Sequence, residues 1–234
     1  MKKIAVLLLI LSLAPAAFCI PSVRTQVERT ISRASLAKGA HVELKFEWKK
    51  QEYLERHVRF RPGRKIRVPY QAEHKTTQCV GVLLNNARVA TASSCLKESS
   101  GFKLQKITLT FSNGKSGKTS ARKASVNGDI AQIAVDPALT VGLIGMEVAE
   151  VADGRSLQDV YGKEFASALQ NFLLSRGVLS PRAARLTGRK VTLQRGEPFF
   201  WKGKVVAVFN RVPRRLPVSF FGQLSEDFLS VFRK

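Results

Sequence analysis

The segment HVELKFEW alternates without a break, placing Val42, Leu44, Phe46 and Trp48 on one side of an extended chain and His41, Glu43, Lys45 and Glu47 on the other. A period of two fits a strand with one face on a core and the other in water, and it does not fit a helix. The same grammar recurs downstream. HVRFRPGRKIRVPY sets Val58 and Phe60 before Pro62-Gly63 and Ile66 and Val68 after it, which predicts a β-hairpin with a tight turn. CVGVLLNNARVATA predicts a second hairpin turning at Asn85-Asn86, and LQKITLTFSNGKSGK a strand carrying Ile107, Leu109 and Phe111 on one face before a glycine-rich turn. Short strands with turn signals between them favour an all-β barrel or sandwich.

Two segments depart from this period. In GKEFASALQNFLLSRG, Phe165, Ala168, Leu169, Phe172 and Leu173 fall at helical spacing, which predicts one extra helix ending at Gly177. LSEDFLSVFRK offers Ser225 as an N-cap, Glu226 and Asp227 for the first turn, and Arg233 and Lys234 at the end, the charge order that suits a short C-terminal helix.

The chain opens MKKIAVLLLILSLAPAAFC: two lysines, an apolar run too short to cross a bilayer comfortably, then small residues. That is the pattern of a secretory signal peptide over residues 1–19, cut after Cys19 or after Ala16. Acylation of Cys19 is disfavoured by the bulk of Phe18. The polar, basic residues 20–40 read as an N-terminal extension. An exported chain would work in the periplasm or outside the cell. Once Cys19 has left, Cys79 and Cys95 are an even pair in an oxidising compartment and predict a disulfide, with two separate buried thiols as the alternative.

Charge narrows the partners. The chain has 39 Lys and Arg against 17 Asp and Glu, a formal +22, or +20 after Lys2 and Lys3 leave with the signal. Such a field draws polyanions or an anionic membrane surface. The cations gather in Lys49 to Arg67, Arg182 to Arg195 and Arg211 to Arg215. Arg59, Arg61, Arg64, Lys65, Arg67, Arg182, Arg185, Arg211, Arg214 and Arg215 are the anion-binding candidates. A reading helix, an RNA-binding signature and regular aromatic interleaving are all missing, so no specific nucleic-acid partner is indicated. No residue set is assigned to a metal, and no cofactor is expected.

CVGVLLNNARVATASSCL resembles the first signature of the chymotrypsin/trypsin-like serine proteases, in which a cysteine opens a strand and a second cysteine closes a T-A-A-H-C turn. Cys79 and Cys95 stand at the family's spacing, and TASSC matches with Ser94 in the histidine position. NGDIAQIAV resembles the segment around the catalytic aspartate and points to Asp129. LQRGEPFFWKGKVVAVF resembles the region of the nucleophile. Aligned on Pro198, the nucleophile's position is Arg195, the preceding aspartate's is Gln194, and the oxyanion-hole glycine's is Leu193. Counting six back gives Arg189 at the floor of the specificity pocket, and Glu197 offers Arg195 a carboxylate partner.

The resemblance implies two perpendicular six-stranded β-barrels with a cleft between them, residues 41–140 forming the first and residues 141–234 the second with the C-terminal helix. It also implies that catalysis is lost, since Ser94 and Arg195 replace the base and the nucleophile and Leu193 and Gln194 degrade the oxyanion hole. The expectation is an exported, non-catalytic protease homologue, a pseudoprotease. Its partner would be an anionic envelope polymer, anionic lipid headgroups or an acidic protein, held by the cleft or the basic surface. The alternatives are a divergent trypsin-like endopeptidase with a relocated triad, and a cationic envelope-binding or antimicrobial protein.

Overall fold

The computed structural model describes residues 39–57, 65–97, 101–178, 190–213 and 226–233. The signal sequence, nearly all of the extension and the Pro62-Gly63 turn lie outside these residues. So do Arg59, Arg61, Arg64, Arg182, Arg185, Arg189, Arg214, Arg215 and the Ser225 cap.

The described residues are mostly β, with one long helix. β1 (His41–His57), β2 (Lys65–Leu83), β3 (Arg88–Ala92), β4 (Lys103–Phe111), β5 (Ser116–Thr119), β6 (Ala124–Asn127) and β7 (Ile130–Ala134) form a seven-stranded sheet in the order β5-β4-β1-β2-β3-β7-β6. All its pairings are antiparallel. Val42, Leu44, Phe46 and Trp48 are buried, as their alternation predicts, and they meet Ile107, Leu109 and Phe111 of β4 in one apolar core. A register shift in β1 at Glu47/Trp48 against β4 adds local twist to the sheet around that core, and a second at Glu52/Tyr53 against β2 lies farther out along the hairpin.

α1 (Leu157–Ser175) follows, then β8 (Pro198–Trp201), β9 (Lys204–Phe209) and β10 (Leu229–Val231), a three-stranded sheet in the order β10-β9-β8. The apolar stripe of α1, Phe165, Leu169 and Leu173, is buried against Phe199, Phe209 and Phe228. Phe165 meets Phe199 edge to face at 5.4 Å, a favoured aromatic geometry. Six strands to each barrel is therefore not the count among the described residues, where the sheets hold seven and three. α1 covers one face of the smaller sheet.

The helix ends follow from the sequence. Ser156 caps α1, accepting from the Asp159 amide at 3.0 Å while Asp159 accepts from the Ser156 amide. At the far end Gly177 takes φ of 82°, the left-handed turn that glycine supplies after a helix.

The predicted C-terminal helix is corrected. Leu229, Ser230 and Val231 pair with Phe209, Val208 and Ala207 as strand β10. Phe228, Leu229, Ser230 and Phe232 are all buried, so this stretch has no solvent face for a helix to keep. Glu226 does serve a helix N-terminus, but that of α1: its two carboxylate oxygens accept the Leu157 and Gln158 amides, each at 3.0 Å. A carboxylate there completes orphan donors and suits the helix dipole.

The β1–β2 hairpin outruns its sheet. β4 leaves β1 at Lys49↔Lys103, whereas β1 and β2 stay paired to His57↔Lys65. Residues 50–57 and 65–73 form a two-stranded ribbon with which no other strand pairs among the described residues, about 26 Å long at ~3.3 Å per residue.

Candidate functional site

Cys79 on β2 and Cys95 in the short turn Ser93–Leu96 after β3 form a disulfide, with 6.3 Å between their Cα atoms. The bond pins the turn that carries Ser94. Beside it, Thr91 Oγ1 donates to the Val80 carbonyl at 2.7 Å. Gly196, with φ of 83°, presses its backbone onto that same carbonyl and hydroxyl, where any Cβ would collide with both. The Val80 amide in turn donates to the Arg195 carbonyl at 3.0 Å. The turn before β8 is thus docked onto β2 and β3, and Arg195 meets β2 at Val80, where β3 no longer pairs with it.

Two further bonds close the arrangement. The Ser93 amide donates to the Asp129 carbonyl at 2.7 Å, bringing the start of β7 to the disulfide turn. Ser94 Oγ donates to the Asn210 carbonyl at 2.7 Å, bringing the end of β9. A cleft of about 730 Å³ results, lined by Ser93, Ser94, Asp129, Arg195 and Asn210, and also by Lys75, Thr77, Lys97, Arg211 and Asp227.

Ser94, Asp129 and Arg195, picked from three separate motifs, therefore line one cleft. Arg195 reaches across it, donating from Nη1 to the Ser94 carbonyl at 3.3 Å. The three histidines, His41, His57 and His74, sit on β1 and β2 and do not line it. The Ser94 hydroxyl gives its proton to a backbone carbonyl, and no imidazole is at hand to activate it.

The positions aligned with the oxyanion hole lie in the turn before β8. Leu193 is buried in the second core, and the Gln194 amide donates to Glu197 Oε2 at 3.0 Å. Glu197 does not pair with Arg195, which corrects the expectation. It turns inward, 7% exposed, and forms its ion pair with Arg176 just after α1. The reason is dielectric: a carboxylate facing the interior needs its partner beside it, while Arg195 points to solvent and the cleft.

The cleft's charge is unbalanced. Lys75, Lys97, Arg195 and Arg211 face Asp129 and Asp227, four cations to two anions. A concave surface of one predominant sign focuses its field and raises the local concentration of the opposite ion. Of the described anion-binding candidates, Arg211 enters the cleft, whereas Lys65 and Arg67 lie on the ribbon, each paired with Glu55. Lys75, Lys97 and Asn210 were not singled out in the sequence, and Asp227 was read only as a helix-start residue. A signal existed for the lysines: Lys97 is two residues past Cys95 and Lys75 four before Cys79, so the disulfide draws both toward Ser94.

No family profile matches the chain, and no curated protein matches it. Among solved structures it is similar to the HtrA-type protease AlgW with decapeptide, at 17% identity and a TM-score of 0.33, over 54% of this chain and 37% of that one. A score at that level does not establish a shared fold. Among the described residues, no helix is long and apolar enough to cross a membrane.

Proposed function

We propose that this chain is an exported, non-catalytic relative of the trypsin-like proteases that holds an anionic ligand in the cleft. One observation carries the reading: the positions that the motifs align with base and nucleophile lie together in the cleft as Ser94 and Arg195, with Lys75, Lys97 and Arg211 around them. A site that once stabilised a developing oxyanion has, on this reading, become one that attracts a standing anion. Acidic peptides and carboxylate-bearing polymers are the ligand class, since guanidinium and ammonium groups suit carboxylates.

Loss of the base or the nucleophile alone costs on the order of 10⁶-fold in turnover in serine proteases. A fluorophosphonate probe is therefore expected to label the folded protein no more than a heat-denatured control. Serine-specific labelling, abolished by substituting one serine, would contradict the reading. The double variant Ser94→His, Arg195→Ser is expected to remain unlabelled, because Leu193 stays buried and Glu197 still occupies the Gln194 amide.

A further inference from the structure

The ribbon of residues 50–57 and 65–73 has no core of its own, yet it carries large apolar side chains. Four of the ten such side chains exposed among the described residues are here: Tyr53 at 55%, Leu54 at 42%, Ile66 at 44% and Tyr70 at 65%. They occupy both faces. Leu54 lies opposite Val68 and Ile66 opposite Arg56 on one face, Tyr53 lies opposite Pro69 on the other, and Tyr70 falls where the register shifts. Isolated two-stranded ribbons are marginal in water, and clustered exposed apolar groups on one mark a surface that meets something.

We propose that this ribbon is a docking element for an anionic lipid bilayer, its tyrosine, leucine and isoleucine side chains entering the interface and its cations meeting the headgroups. The charge is complementary to that occupant. From Lys50 to Glu73 the sequence has seven Lys and Arg against three Glu. The three glutamates are held in local pairs, Glu55 with Lys65 and Arg67, and Glu52 and Glu73 with Lys50. A second copy would bring the same positive stretch against itself. A nucleic acid would match the charge but give Leu54 and Ile66 no apolar partner, since aliphatic side chains do not stack on bases as aromatic ones do. Tyrosine at an interface with lysine and arginine beside anionic headgroups satisfies all three kinds of side chain. No residue of 50–57 or 65–73 lines the cleft, so this inference does not depend on the cleft's ligand.

The test is co-sedimentation with vesicles of phosphatidylcholine alone and of phosphatidylcholine mixed with phosphatidylglycerol. The wild type should partition to the mixed vesicles only. The variant Tyr53→Thr, Leu54→Thr, Ile66→Thr, Tyr70→Thr keeps charge and strand propensity and should lose about tenfold or more in partitioning with its near-UV circular dichroism unchanged. Should that variant not fold, Tyr53→Trp decides alone: its indole fluorescence in excess of the wild type's, which holds Trp48 and Trp201, should shift blue on mixed vesicles and be quenched by brominated acyl chains. Unchanged partitioning of the folded quadruple variant, or an unquenched indole, overturns the proposal. A dimer, or single-stranded RNA binding, that depends on these four residues while vesicle partitioning does not, also overturns it and assigns the ribbon to a second copy or to nucleic acid.

Discussion

Gly196→Ala should cost about 4 kcal/mol, lowering the melting temperature by roughly 8–16 °C for a chain of this size. Two penalties combine. Gly196 has φ of 83°, where an L side chain is strained. The added Cβ would also run into the Val80 carbonyl oxygen and Thr91 Oγ1, which already bond to one another. Neither group can yield without breaking that bond or moving β2. Gly203, with φ of 85°, separates the two effects, because a Cβ there meets only open space. Gly203→Ala should cost about 1 kcal/mol, the conformational part alone. Equal losses measured by thermal or denaturant unfolding would mean that the turn before β8 is not held by its contact with β2 and β3.

Removing the disulfide should have the next largest effect. Cys79 and Cys95 are 16 residues apart and buried, at 5% and 3% exposure. Closing a loop of that length stabilises by about 3 kcal/mol in the chain-entropy model, equivalent to roughly 6–12 °C here. The Cys79→Ala, Cys95→Ala variant should show this drop without leaving reactive thiols behind. Affinity for an acidic ligand should weaken as well, since Ser94 and Lys97 flank the bonded cysteine. A melting temperature unmoved in protein whose bond is verifiably absent would show that packing alone positions the turn.

The parts of the fold legible in the sequence are those whose burial follows local periodicity. Val42 to Trp48 and Ile107 to Phe111 alternate because each strand has one face on the core, and Phe165, Leu169 and Leu173 recur at helical spacing because α1 lies on the second sheet. The last strand was hidden for the opposite reason. Phe228 to Phe232 is buried on nearly every side, so its period says nothing, and the acidic residues before it looked like those of a helix start. Glu226 carries that chemistry, but for α1, whose N-terminus lies 69 residues away in the sequence.

The cleft divides along the same line. Ser94, Asp129 and Arg195 could be named because each sits in a motif with its own spacing. Lys75 and Asp227 could not, since their place in the cleft depends on strands and turns folding together. The partner of Glu197 was misassigned for the same reason: Arg195 is near in sequence, whereas Arg176 is near only in the folded chain.

The most direct measurement is a fluorescence-anisotropy titration of a labelled acidic peptide against the wild type and the variant Arg195→Gln, Arg211→Gln, at several salt concentrations. The wild type should bind the intact peptide with affinity that falls steeply as salt rises, and the variant should bind about tenfold or more weakly. A neutral peptide of the same length should not bind. Equal affinity in wild type and variant, affinity indifferent to salt, or cleavage of the peptide in the cuvette would contradict a non-catalytic, anion-binding cleft.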